Sequence, residues 1–296
     1  MRSLLNGVHR DLTIHLFHDG SLNGHPGVKT LSDMVEEEGA VLKVRAIDPE
    51  LERNLPGPGM VHLGTLVWFR CLLSELLPDV DRVLYLDADT LVVSDVDPLL
   101  EFDLADAPLA AVPDVLMPSD RPRVSALGIT DFRRYLNAGV LLLDLEQLRA
   151  ENASDELLRV AFASGTKFEW GDQDALNVVF AGRWRVLHPR WNAQGTMFRA
   201  PETAAEVLGE DPAAEALSSP GILHFEGPNL CKPWHALNTH PWRQTWWATL
   251  ARTPWASTPP EDRTAVTSAL RLLPEGLRIW TYSRILGLRA RRARSR

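Results

Sequence analysis

Along most of the chain, short apolar runs alternate with amphipathic stretches about a helix long, and turn residues fall between them. Residues 12–17 (LTIHLF), 41–47, 83–86, 109–112, 137–144, 184–187 and 222–225 read as strands. Residues 28–38, 62–77, 145–164, the stretch from Gly171 through Phe180, 201–209 and 241–252 read as helices, and residues 1–5 resemble the last turn of another. This alternation predicts an α/β fold with a mostly parallel sheet. Residues 55–59 (LPGPG) form a loop too rich in proline to cradle phosphate, and 113–131 is turn-rich enough to be a mobile loop over a site. A weak boundary near 257–260 (STPP) divides a body, 1–256, from a helical extension, 257–296.

The pattern is interrupted most sharply at RVLYLDADTLVVSDVDPLL, residues 82–100. Here Asp87 and Asp89 sit between two core-forming runs, where unpaired acids are costly to bury. Hard oxygen ligands at the mouth of a sheet can hold Mg²⁺ or Mn²⁺, and the ion in turn a diphosphate. The plainer reading is that both acids end a strand and cap a turn. Other polar groups also fall at element ends. His224 closes an apolar run and could complete a metal site, or be an ordinary structural histidine. Lys232, beyond Gly227, could neutralise a departing phosphate. Asp172, Gln173 and Asp174 open a helix, where acids also serve as caps. Asn137 starts a strand.

Composition narrows the class. Hydrophobic residues make up 45% and charged residues 24%, enough for a substantial core. Six of the ten tryptophans lie between Trp184 and Trp247, which suggests aromatic walls around a cleft as well as core. Two cysteines, Cys71 and Cys231, give neither a disulfide framework nor metal spacing, and a cytoplasmic location is expected. No window holds enough apolar residues to span a bilayer, and the N-terminus lacks the apolar stretch of a signal peptide. The net charge of −8 conceals seven arginines and no acid over 278–296, without which the remainder stands at −15. Such a body does not suit nucleic acid; the tail suits a peripheral place on an anionic membrane surface.

In their order along the chain, the motifs LYLDADTLV (84–92), LNAGVLLLDL (136–145), GDQDALN (171–177) and HFEGPNLCKPWH (224–235) resemble glycosyltransferase family 8, the retaining sugar-nucleotide-dependent transferases. The resemblance covers about residues 3–242 and implies a GT-A-type, Rossmann-like domain. It implies a hexosyltransferase taking a UDP-sugar donor and a glycan or lipid-linked acceptor, with Mn²⁺ or Mg²⁺. Asp87, Asp89 and His224 would be the metal ligands, Asp87 also lying near the donor. Lys232 and Gly227 would bind the diphosphate. Asn137, Asp172 and Arg70 would hold the donor sugar, with Gln173 and Asp174 as the catalytic pair, Gln173 facing the anomeric carbon.

Two departures accompany the match. The family's first strand, which grips uridine, would lie upstream of Met1, so the sheet is expected to lack it, through a start assigned too late or loss of the segment. The gap between Gly227 and Lys232 is also longer than the family pattern. Two competitors remain: a degenerate transferase-like scaffold, and a haloacid-dehalogenase-type phosphatase. The latter wants Thr two positions after the second Asp, where this chain has Leu91.

Overall fold

A computed structural model describes residues 1–57, 65–164 and 168–294. They fall into two compact units, Met1–His224 and Phe225–Arg296, so the division comes ahead of the 257–260 stretch.

The first unit contains β1 (Thr13–His18), β2 (Val41–Ala46), β3 (Arg82–Leu86), β4 (Thr90–Val92), β5 (Leu109–Pro113), β6 (Leu136–Asp144), β7 (Arg185–Val186), β8 (Ala193–Gln194) and β9 (Ile222–His224). β1 and β2 pair in parallel as a sheet of two. A second sheet has the order β3-β6-β5-β7, in which β3, β5 and β7 share a direction and β6 runs against both its neighbours. A third, β4-β9-β8, pairs β9 in parallel with β8 and antiparallel with β4. Among the described strands, β3 and β1 each have one neighbour.

β5 and β6 are the spine. Leu109, Ala110, Ala111 and Val112 are fully buried, as are Val140, Leu141 and Leu142. Strand periodicity sends Leu141 and Leu143 into one core cluster with Trp68, Phe180 and Trp184, and Val140 and Leu142 into another with Val92, Leu99 and Ile222. Each such leucine contributes roughly 1.5–3 kcal/mol by leaving water. The polar start of β6, Asn137–Gly139, is therefore held on a rigid base.

Several expected elements take a different form. Of the helix expected over 62–77, positions 62–64 lie outside the described residues, as do 58 and 59 of the proline-rich loop; the rest is a 3₁₀ segment, Leu66–Leu72, running into the short helix Leu73–Leu76 ahead of Pro78. The 145–164 helix is two, Leu145–Ala150 and Ala153–Ser164, broken at Asn152 with φ of 52°. The 113–131 stretch is not a loose loop. It contains the helix Arg121–Ala126, its Leu116 and Val124 are fully buried, and Arg121 forks onto Glu206 at 2.8 and 2.7 Å. Apolar side chains at 116, 124 and 129 anchor it from beneath. The helices Gly195–Arg199 and Glu210–Ser218 and the strand β8 were not apparent in the pattern.

The second unit contains the helices Arg243–Leu250, Ala265–Leu270 and Glu275–Arg294. Thr264 and Thr267 form a capping box at the start of the middle helix. Tyr282 fastens the last one, its hydroxyl donating to Asp262 Oδ2 at 2.6 Å and lying 3.2 Å from His235 Nε2. No described helix is long and apolar enough to cross a membrane.

Candidate active site

The turn between β3 and β4 presents the two carboxylates. Its backbone is fixed by the Asp87 N–H donating to Gly139 O at 2.8 Å and by the Thr90 N–H and hydroxyl both donating to Asp87 O. The β4–β9 register sets Thr90 opposite His224, bringing a histidine distant in sequence beside the Asp pair. Ligand atoms of Asp87, Asp89 and His224 lie within 4.8 Å of one another. His224 Nε2 is 3.4 Å from Asp89 Oδ1 and 3.7 Å from Asp87 Oδ2. These separations exceed a charge-assisted hydrogen bond and leave room for a cation between the groups.

The tautomer of His224 follows from its neighbours. Asp114 Oδ2 can only accept, so Asn137 turns its amide nitrogen to it, at 2.8 Å. Asn137 Oδ1 then accepts from Gly139 N–H at 3.0 Å and from Asn192 Nδ2 at 2.8 Å. That leaves Asn192 Oδ1, 3.0 Å from His224 Nδ1, to accept the ring proton. With Nδ1 donating to Asn192, Nε2 is the ring nitrogen on the side of the two carboxylates. Two carboxylates and an imidazole nitrogen on one side of a turn are a donor set that fits a divalent ion such as Mn²⁺ or Mg²⁺. Asn192→Ala is expected to weaken divalent-ion affinity about 10–100-fold with the fold intact, as loss of an outer-shell partner does. Calorimetric titration with Mn²⁺ checks this, and an unchanged affinity would remove Asn192 from the role.

Arg70, from the 3₁₀ segment, lies behind the turn. Its guanidinium is 3.2 Å from Asp87 Oδ1 and 2.6 Å from Asp172 Oδ2, and it sits 4.8 Å from the Tyr85 ring centroid. Burial opposes its charge, but Asp172 and Asp87 outweigh that and keep it protonated. The Asp172 contact is a close ion pair without hydrogen-bond alignment. Burial raises the Asp172 carboxyl to about 7, with Arg70 opposing and Asp87 adding to the rise. The Tyr85 hydroxyl donates to Asp87 Oδ1 at 2.6 Å.

The three polar residues opening the helix Asp172–Val179 have different surroundings. Gly171 at its N-cap has φ of 55°, a conformation open to glycine. Asp172 and Asp174 are buried, whereas Gln173 is half-buried. Gln173 is gripped at both ends of its amide: Oε1 accepts from Ala138 N–H at 2.9 Å and Nε2 donates to Asp114 Oδ2 at 3.0 Å. Asp174, expected to be one of the catalytic pair, has both oxygens committed. Arg123 Nη1 reaches each at 2.8 Å, Trp170 N–H donates at 2.9 Å, and the Tyr135 hydroxyl donates as well. That is the arrangement of a structural anchor.

Gly227 and Lys232 belong to the second unit. Gly227 turns the chain into the 3₁₀ segment Asn229–Cys231, and Lys232 Nζ donates to Phe225 O at 2.9 Å. Asn192, from the 3₁₀ segment Pro189–Asn192, is fully buried against His224. Asp114, Tyr85 and this buried role of Asn192 are what reading the sequence missed. The signal for Asp114 was its place directly after a strand-ending proline, opposite the equally polar Asn137. The position that a dehalogenase-type phosphatase would fill with threonine is Leu91, buried in β4.

Comparison with known proteins places the chain in a family. A family model described as glycosyl transferase family 8 matches residues 4–238. General stress protein A of Bacillus subtilis (strain 168) is 30% identical over 86% of this chain and 87% of its own length. Lipopolysaccharide 1,2-glucosyltransferase of Escherichia coli (strain K12) is 24% identical over 89% of this chain and 75% of its own. Among solved structures, the galactosyltransferase LgtC, in complex with donor and acceptor sugar analogues, superposes with a TM-score of 0.72 at 24% identity, covering 86% of this chain and 88% of that one. GlyE of Streptococcus pneumoniae TIGR4 superposes at 0.61 and 23% identity, covering 86% of this chain and 57% of that one. The fold is thus of the GT-A glycosyltransferase type, and with its D-x-D turn and matched motifs the chain belongs to glycosyltransferase family 8.

Proposed function

We propose that this glycosyltransferase moves a hexosyl unit from a UDP-sugar to a glycan or lipid-linked acceptor with retention at the anomeric carbon, and that Asp87, Asp89 and His224 hold the Mn²⁺ it uses. The observation that carries the reading is the convergence of those three side chains, with Asn192 holding the His224 ring so that Nε2 lies on the side of the carboxylates. Family membership and similarity to lipopolysaccharide glucosyl- and galactosyltransferases support the donor class and an acceptor of lipopolysaccharide type.

When bound, the ion offsets the charge that builds on the departing diphosphate. The protein's own part is positional. Arg70 and Tyr85 fix the Asp87 carboxylate, so its geometry is set before the donor arrives. Asn137, Asp114 and Gln173 form one hydrogen-bonded unit at the donor-sugar position that the motifs imply. Asp172 and Asp174 are paired with arginines and buried, and an amide oxygen is a poor nucleophile. Same-face delivery of the acceptor hydroxyl, with Gln173 orienting the sugar, is therefore the mechanism we favour. Gly227 and Lys232 keep the diphosphate-binding role implied by the motifs.

The basic last helix gives the proposal a place to work. Leu277, Ile279, Trp280 and Leu286 are exposed on it, beside Arg278 and Arg284, while Tyr282 and Ile285 pack inward. Peripheral contact with an anionic membrane from the cytoplasmic side fits that face.

The deciding experiment presents a panel of UDP-hexoses and reads the anomeric proton signal of the first product by NMR. An α-linked product from an α-linked donor, abolished by EDTA and restored by Mn²⁺, is expected; a β-linkage would reject retention. In parallel, deletion of 278–296 is expected to reduce salt-sensitive sedimentation with phosphatidylglycerol vesicles, and no reduction would reject the membrane role.

A further inference from the structure

We infer that the second unit carries a binding site for a phosphomonoester, on a saccharide or at a lipid headgroup, formed by Arg243, Arg263 and Arg271 around an open pocket of about 560 Å³. This site goes beyond the transfer chemistry and uses none of its residues.

The pocket is lined by those three arginines together with Trp247, Ser268, Ala236 and Pro260, and no carboxylate is among its lining residues. Several other arginines are matched to acids, Arg70 with Asp172, Arg121 with Glu206, Arg123 with Asp174 and Arg149 with Asp81. Three arginines gathered on one cavity whose lining residues include no acid concentrate positive charge there, in a chain of net charge −8, and can take a counter-charge from outside.

Arg243 makes the case specific. It sits one helical turn before Trp247, so the two share a face, and its guanidinium lies 5.5 Å from the indole centroid. Trp247 is itself pinned through Nε1–H donating to Pro233 O at 3.1 Å. Arg243 Nε is buried without a hydrogen-bond partner. Burial, and after it the charge of Arg271, disfavours its protonated form. Arg271 follows the helix Ala265–Leu270, where a cation is welcome to the helix dipole, but that accounts for one arginine and not three.

The ligand class follows from the donors. Guanidinium forks match phosphate oxygens two at a time, and the Ser268 hydroxyl adds a neutral donor. A phosphomonoester carries about −1.5 to −2 charges at neutral pH, closer to what three arginines balance than a single carboxylate is. A pocket of this size holds a phosphoryl group with a sugar ring or headgroup attached.

The test uses the full chain in EDTA, so that neither donor nor metal takes part and failure of the transferase reading cannot be mistaken for failure here. Glucose 6-phosphate and glucose are titrated calorimetrically, and sedimentation is measured with phosphatidylcholine vesicles with and without phosphatidic acid. Arg263→Ala/Arg271→Ala alters two exposed side chains and is expected to keep the fold by circular dichroism. Binding of glucose 6-phosphate but not glucose, weakened about tenfold or more in the double variant, assigns the site to a sugar phosphate. Phosphatidic-acid-dependent sedimentation alone, weakened likewise, assigns it to a headgroup. Binding of neither probe, or equal binding by wild type and double variant, overturns the inference.

Discussion

Asp89→Asn is expected to reduce metal-dependent transfer by about 10²–10³-fold, the scale on which losing one preorganised electrostatic element of an active site acts. The substitution keeps the side chain's shape and removes one of three groups that face each other across 3.4–3.7 Å. Its signature on stability is opposite in sign to its effect on activity. Without an ion, Asp87 and Asp89 repel across the turn, so replacing one by an amide should leave the melting temperature of the metal-free protein unchanged or raise it. The rise that Mn²⁺ produces in the wild type should be lost. Transfer rates and thermal melts with and without Mn²⁺ decide the matter. A variant that still responds to Mn²⁺ as the wild type does would exclude Asp89 as a ligand.

Gly139→Ala should act on the same site from beneath. A Cβ at position 139 would stand 2.1 Å from His224 Cε1 and 2.6 Å from its Nδ1, inside van der Waals contact with a ring that Asn192 already holds. The ring has to leave its place, taking Nε2 away from the carboxylates, and overpacking of this kind costs about 1–3 kcal/mol. Loss of Mn²⁺ binding together with a lowered denaturation midpoint is expected. Gly221→Ala is the control, because its Cβ would press on Trp191 Cε3 at 2.6 Å and not on a ligand. It should destabilise the chain while sparing ion affinity. Equal ion affinity in Gly139→Ala and the wild type would mean that His224 is not a ligand in this geometry.

The elements and the ligands were legible for different reasons. β5 and β6 announce themselves because strands buried on both faces are written as unbroken apolar runs. Asp87 and Asp89 stand out because acids rarely interrupt such runs. The chain's polar interior was harder to read. Asp172, Gln173 and Asp174 are consecutive, but each helical residue turns about 100° from the last, so one motif sends its side chains to three surroundings. Only the structure separates the half-buried Gln173 from Asp174, which is spent on Arg123 and Tyr135. Asp114 falls in the turn-rich stretch that follows β5, and Asn192 in a short segment with no motif of its own. Their roles arise from partners tens of residues away, Asn137 and His224, and no local pattern encodes that. The length of the 145–164 helix was overestimated because periodicity continues across Asn152 although the backbone does not.

The pairing of Thr90 with His224 has a further consequence for the chain as a polymer. β4 and β9 are three residues each, and everything from position 93 to position 221 is strung between them. If Asp89 and His224 hold the proposed ion, it would act as a removable cross-link closing that long loop, comparable in topology to a disulfide but governed by free ion concentration. At a concentration about 100 times its dissociation constant, such a ligand adds about 2.7 kcal/mol to the stability of the state that binds it. Opening of β9 away from β4 and release of the ion would then be a single event, and the short strand that carries the histidine would stay paired as long as the clasp is loaded.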